Sequence, residues 1–299
     1  MMAQMKDGQF KILLADDGSE HAHAARDLVG DLTLPKGCCI TVLRVFASTQ
    51  AGDLALLEDA LDQTCSVLKK KGLQTKPELL LGSPTEKVVE YAEEHKPDLI
   101  VMGAKGLRAT LGILLGGVAQ QVVEYAPCPV LVVRAPYQIL RRILLVTDGS
   151  PSSLQAVQYL GKFPLPGSAS LQVLHVLPPP SIAINMPEGP YINMQYRTLE
   201  QLSEADTAMR AKEEKDGQAL LDRTIETLRS LGMEASGVLR RGDAATEIID
   251  HVKEQKIDMI VSGSRGLSRI RSWLMGSVSR KLVHYSGCSV LVVRSQQPN

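Results

Sequence analysis

The residues best suited to chemistry sit in two glycine loops. In the second half of the chain, Gly263-Ser264-Arg265-Gly266 follows a short apolar run. Nine residues intervene (267–275), and Gly276-Ser277 then opens a helical pattern. The first half repeats this spacing as Gly103-Ala104-Lys105-Gly106, nine residues, then Gly116-Gly117. Glycines admit positive φ and let a polyphosphate approach with no Cβ in the way, while a helix N-terminus offers unpaired N–H groups to an anion. Ser277 can give its hydroxyl to a phosphate oxygen or cap the helix. Lys105 and Arg108 in one half, and Arg265, Arg269 and Arg271 in the other, place positive charge beside the loops. The chemistry implied is the binding of one small polyphosphate. Loops of this kind also serve as plain tight turns, so the spacing alone leaves that reading open.

The other reactive side chains form no catalytic set. His21 and His23 lie near a helix start, with no cysteine or third histidine at a recognisable ligand spacing, and read as a solvated helix end. Ser19 and Ser150 follow Asp-Gly and read as helix caps rather than nucleophiles. Cys128 and Cys288 precede apolar strands and read as small buried hydrophobes, while Cys38-Cys39 sit at a strand entry. His175 is placed mid-strand as a packed residue. No P-loop lysine motif, H-E-x-x-H or G-x-S-x-G occurs. The single tryptophan, Trp273, falls inside the second nine-residue loop, as a lid or a partner contact.

The elements that carry these residues are duplicated. Residues 79–134 align with 239–294 at a constant offset of 160, with 21 of 56 pairs identical. Near the start of each half the offset is 131, where Lys11–Ser19 (KILLADDGS) matches Arg142–Ser150 (RILLVTDGS), so the second half carries 29 additional residues. Ile12–Ala15 and Ile143–Thr147 read as first strands, each ended by Asp-Gly-Ser, and Val42–Phe46 and Leu171–Leu177 as second strands. Leu54, Leu57, Leu61, Cys65 and Leu68 mark one helix face. Leu99–Met102, Met259–Ser262, Val130–Val133 and Val290–Val293 read as buried strands. Alternation of strands and helices predicts an α/β fold with a parallel sheet covered on both faces. The expected domains are 1–138 and 139–299, with an insertion near 178–215 that starts as a Pro-rich loop and turns helix-prone from about Thr198.

Composition narrows the function. The chain has 299 residues, 33 Lys plus Arg against 33 Asp plus Glu, 44% hydrophobic and 22% charged residues. That is globular composition without the basic excess a nucleic-acid binder uses, and no apolar run reaches the ~18 residues of a membrane span. Neither nucleic acid nor membrane is an expected partner. Five cysteines, odd in number and without a C-x-x-C pair, point to a reducing, cytoplasmic setting.

Taken together, the loops, the paired Asp-Gly-Ser turns, His175-Val176 and the closing C-x-V-L-V-V-R run (288–294) resemble the universal stress protein family, in tandem form. The family's nucleotide signature, G-x2-G-x9-G-[ST], is met in full by 263–277, and the likeness covers both halves outside the insertion and termini. It implies two Rossmann-like (adenine nucleotide alpha hydrolase-like) domains, each a mostly parallel five-stranded sheet with helices on both faces. It also implies ATP or AMP as ligand, with Mg²⁺ as the companion of ATP, in a stress-response sensor or regulator. By position, Thr147 and Asp148 would flank the adenosine, the Val176 backbone would meet adenine, and Gly263, Gly266, Gly276 and Ser277 would hold phosphates. The first-half counterparts are Asp16, Asp17, Val45, Gly103, Gly106, Gly116 and Gly117. Gly117 departs from the expected hydroxyl residue, and Asp16 adds a carboxylate expected to repel an anion mildly. The second site is therefore expected to bind more tightly. A slow ATP hydrolase and a nucleotide-free interaction protein are the alternatives. The family also pairs its last strand between subunits, which implies an intrachain pseudo-dimer through 130–134 and 290–294 and leaves a homodimer open.

Overall fold

Strands such as Lys11–Ala15 are apolar at successive positions because both faces are covered. Ile12 and Leu14 pack into one core and Leu13 into another. The computed structural model describes residues 10–47, 54–107, 114–179, 199–266 and 275–294. Arg108, Arg269, Arg271, Trp273 and the Pro-rich start of the insertion from residue 180 lie outside the described residues.

The first copy runs β1 (Lys11–Ala15), α1 (Glu20–Asp31), β2 (Cys39–Phe46), α2 (Leu54–Lys70), β3 (Gln74–Leu81), α3 (Pro84–His95), β4 (Leu99–Gly103), α4 (Gly117–Tyr125) and β5 (Val130–Val133). The second runs β6 (Arg142–Val146), α5 (Pro151–Leu160), β7 (Ser170–Leu177), α6 (Leu199–Ser230), β8 (Ala235–Arg241), α7 (Ala244–Gln255), β9 (Met259–Gly263), α8 (Ser277–Tyr285) and β10 (Ser289–Val293). The helix-prone part of the insertion extends α6 at its start, so α6 has 32 residues where its counterpart α2 has 17.

The ten strands form one sheet in the order β3-β2-β1-β4-β5-β10-β9-β6-β7-β8. Within each copy every pairing is parallel; β5 and β10 pair antiparallel, with Leu131 opposite Leu291. The two halves thus join through their last strands inside one chain. α1, α2, α5 and α6 cover one face, and α3, α4, α7 and α8 the other. The connector is held as well. Ala135 N–H donates to His21 Nδ1 at 2.9 Å, Tyr137 Oη donates to Asp31 at 2.9 Å, and Leu140 is buried. Among the described residues no helix is long and apolar enough to cross a membrane.

In each copy the chain leaves β1 or β6 toward one face, and leaves β4 or β9 toward the other. This divergence opens a crevice at the C-terminal strand ends, the place where doubly wound sheets collect ligands. The glycine loops of both copies sit there.

Candidate nucleotide-binding sites

The Asp-Gly-Ser turns are built from their own side chains. Asp17 Oδ1 accepts from Ser19 N–H at 3.0 Å, and Asp148 Oδ1 accepts from Ser150 N–H at 3.0 Å. Ser19 then caps α1 by accepting from Ala22 N–H, and Ser150 caps α5 by accepting from Ser153 N–H. Their hydroxyls also donate to the carbonyls of Lys105 (3.0 Å) and Arg265 (3.4 Å), tying each turn to the glycine loop across the crevice.

The glycines permit that approach. A Cβ on Gly103 would lie 2.7 Å from the His21 carbonyl carbon, and one on Gly263 would lie 2.6 Å from the Ser152 main chain. A Cβ on Gly106 or Gly266 would lie 2.5 or 2.7 Å from the Asp17 or Asp148 carboxylate. Asp17 Oδ2 is further held by Leu107 N–H at 3.1 Å. Gly116 and Gly276 each donate N–H to the loop, at 2.7 Å to Ala104 O and 2.8 Å to Ser264 O, and each is an N-cap without a side-chain cap bond. First-turn N–H groups of α4 and α8 are thereby left facing the crevice.

Two cavities result. The first, about 290 Å³, is lined by Asp16, Asp17, Val45, Gly103, Gly106, Gly116 and Gly117, together with Lys105, Met102 and Leu115 among others. The second, about 250 Å³, is lined by Thr147, Asp148, Val176, Gly263, Gly266, Gly276 and Ser277, with Arg265 and three further serines. Tertiary folding therefore gathers all seven residues singled out in each half into one cavity per copy.

Several expectations change. Asp16 does not offer a free carboxylate to a ligand. It is 1% exposed at the side chain, pairs with Arg44 at 2.6 Å, and accepts from Thr64 at 3.0 Å and from Gly18 N–H at 3.0 Å. The repulsion expected of it is cancelled by that buried guanidinium. Ser277 is the first residue of α8, not its cap, because Gly276 takes the N-cap position. His21 is not a solvated helix end. Its Nδ1 accepts the Ala135 N–H, and burial first, then Lys105, holds its pKa below the usual value. β2 begins at Cys39, three residues earlier than the apolar run suggests, because pairing with β3 continues past it. Among the described residues no cluster of three or more His, Cys, Asp or Glu could hold a metal ion.

Comparison of the copies shows what the motif left out. Ser262 and Ser279 donate to the Gly263 carbonyl at 2.9 and 2.7 Å, and Thr147 lies 3.3 Å from Ser153. The first copy has Met102, Ala119 and Ala22 in place of the three serines and Asp16 in place of Thr147, so three hydroxyls give way to apolar groups and the fourth to a paired carboxylate. Likewise Arg44 is replaced by His175, whose Nδ1 donates to Thr147 O at 2.8 Å. Both differences were available by sliding one half over the other.

Similarity to known proteins agrees with this geometry. The family described as the Universal stress protein family matches residues 10–134 and again residues 140–294. A universal stress protein of Methanocaldococcus jannaschii is 43% identical over 164 residues, covering 54% of this chain and 87% of that protein. One from Bacillus subtilis is 28% identical over 156 residues, covering 52% of this chain and 100% of that protein. A solved universal stress protein from Archaeoglobus fulgidus superposes on 96% of this chain and 97% of its own with a TM-score of 0.65, at 20% identity, which speaks to the fold. With both halves matched by one family and folded alike around one sheet, the chain belongs to the Universal stress protein family as a tandem, two-domain member.

Proposed function

We infer that the protein binds an adenine nucleotide, ATP or AMP, mainly in the second cavity, and acts in the stress response as a nucleotide-dependent sensor or regulator. The observation that carries this reading is the meeting, in one cavity, of the α8 N-terminus, the Gly263–Gly266 loop, Arg265 and the Ser277 hydroxyl. Anion-seeking N–H groups and a cationic side chain converge there at a sheet switch point. Thr147 and Asp148 would flank the adenosine, the Val176 main chain would meet the adenine, and Gly263, Gly266, Gly276 and Ser277 would hold the phosphates. A volume of about 250 Å³ lies near the lower edge of small-ligand sites, roughly 300–1,000 Å³.

Mg²⁺ would enter with ATP and be held chiefly by phosphate oxygens, since Asp148 already accepts one main-chain N–H. When bound it would offset phosphate charge. The chain's own residues bind and orient. In this reading the units are residues 1–138 and 139–299, acting in the cytoplasm. Native mass spectrometry of the purified chain, followed by calorimetric titration with ATP and AMP, tests the proposal. A co-purified nucleotide, or binding weakened by Ser277→Ala, supports it. A nucleotide-free protein that takes up neither ligand at millimolar concentration overturns it.

A further inference from the structure

The outer ends of the two phosphate-facing helices are held by arginines from the opposite copy. Arg134 follows β5 in the first copy. Its Nη2 donates to Val283 O at 2.7 Å and to His284 O at 3.3 Å, in the last turn of α8. Arg294 follows β10 in the second copy and donates from Nη1 to Ala126 O at 3.0 Å and from Nη2 to Glu124 O, at the end of α4. The arrangement is reciprocal because β5 and β10 pair antiparallel, which carries each strand end to its neighbour's helix. Glu124 of α4 and Arg280 of α8, 3.7 Å apart, add a contact between the same helices.

Last-turn carbonyls are the acceptors a helix leaves unpaired, and a cation there complements the negative end of its dipole. The opposite end of α8 opens on Ser277 in the second cavity, and that of α4 on Gly117 in the first. Each helix has nine residues, a rigid rod of roughly 13 Å at 1.5 Å per residue. A shift at the arginine end is therefore delivered to the N–H groups at the other. Arg134 has one further contact. Its Nη1 donates to Leu114 O at 2.5 Å, next to Leu115, which lines the first cavity. One guanidinium thus touches the rim of the first cavity and the base of the helix that serves the second.

We propose that Arg134 and Arg294 are crossed positioning residues, each setting the phosphate-facing helix of the opposite copy, so that the two cavities respond to one another. This rests on the nucleotide reading above. Coupling of this kind is reciprocal: whatever factor occupancy of one site imposes on the other must be returned.

The test is ATP titration of the full-length chain in four forms: wild type, Gly117→Glu, and Gly117→Glu combined with Arg134→Gln or with Arg134→Lys. A Cβ at Gly117 meets no atom within 4 Å and the position lines the cavity, so the glutamate should repel phosphate from the first cavity without disturbing the core. The remaining binding event then reports the second cavity. Arg134→Gln should weaken it about three- to ten-fold, although the residue belongs to the other copy. Arg134→Lys, which keeps a cation on a long stem at this helix end, should recover most of the loss. Unchanged affinity in the glutamine variant, or a loss that lysine does not recover, overturns the proposal. Wild-type protein that binds neither ATP nor AMP overturns the nucleotide reading instead. The crossed role is then read by hydrogen exchange, where Arg134→Gln must speed exchange throughout α8 to support it and unaltered exchange sinks it.

Discussion

Asp16 and Arg44 form a buried ion pair, Oδ2 to Nη2 at 2.6 Å, where the second copy has Thr147 and His175. The pair anchors the turn that carries Asp17 into the first cavity, since Asp16 also accepts from Gly18 N–H and Thr64. In the second copy no such ion pair spans these positions, and the turn is held by other contacts. His175 donates to Thr147 O, and Thr224, the counterpart of Thr64, turns back to Leu220 O.

Arg44→Ala should leave a buried carboxylate uncompensated and destabilise the chain by about 3–5 kcal/mol, read from urea unfolding. Importing the other copy's solution, Asp16→Thr with Arg44→His, should restore most of that loss. A double variant no more stable than Arg44→Ala would show that the pair is not an interchangeable unit.

Gly117→Ser should be tolerated and should strengthen nucleotide binding in the first cavity. No atom lies within 4 Å of the added Cβ, and serine is the better helix former by a few tenths of a kcal/mol. A hydroxyl donating to a charged phosphate contributes about 1.5–3 kcal/mol, so calorimetry should show a gain of roughly ten-fold or more. A variant whose first site binds no better would mean that the apolar groups at Met102 and Ala119, not the missing hydroxyl, limit this cavity.

Gly263→Ala should harm fold and site together. The new methyl would sit 2.6 Å from the Ser152 main chain, so α5 must move away from β9. The expected cost is about 1–3 kcal/mol, with loss of binding in the second cavity, checked by thermal unfolding and titration. Gly287→Ala, where a Cβ meets nothing within 4 Å, is the control and should change neither.

Stability should be greatest between about pH 6.5 and 9. On the acid side, burial first of all lowers the pKa of His21, His251 and His284 from the usual 6.5. These rings stay neutral in the fold while the unfolded chain takes up protons, so stability falls as pH drops below about 6.5. On the alkaline side, burial pushes the Cys38, Cys128 and Cys288 thiols up to about 12 from an ordinary value of 9. Their contribution is complete below pH 9 and fades as pH rises toward 12. Denaturant midpoints measured from pH 5 to 11 check both limbs, and a flat profile would contradict them. The same burial predicts that Cys38, Cys128 and Cys288 resist thiol reagents at pH 8 until the protein unfolds.

The parallel strands, the helix starts at Ser19 and Ser150 and the helix onset near Thr198 were legible because local pattern carries them. Apolar runs mark buried strands, Asp-Gly-Ser marks a turn and a cap, and an internal repeat marks a duplicated unit. The loop residues of each cavity were legible for a similar reason, since glycine spacing reports a loop that meets a helix start, whereas Thr147, Asp148 and Val176 and their counterparts Asp16, Asp17 and Val45 came from the family resemblance. β3 and β8 were harder to read. Each is an edge strand of the sheet, partly exposed and mixed in composition, so neither alternation nor an apolar run announces it.

The sequence by itself thus determined the fold class, the duplication and the membership of the two loops. It could not determine what neutralises Asp16, what holds His21, or which copy's arginine ends which helix. Each of those contacts joins residues far apart in the chain: Asp16 to Arg44 across two strands, His21 to Ala135, and Arg134 to Val283 across the join between copies. Local propensity has no reach over such separations. They are set by strand order and by the antiparallel pairing of β5 with β10, which only the folded sheet supplies.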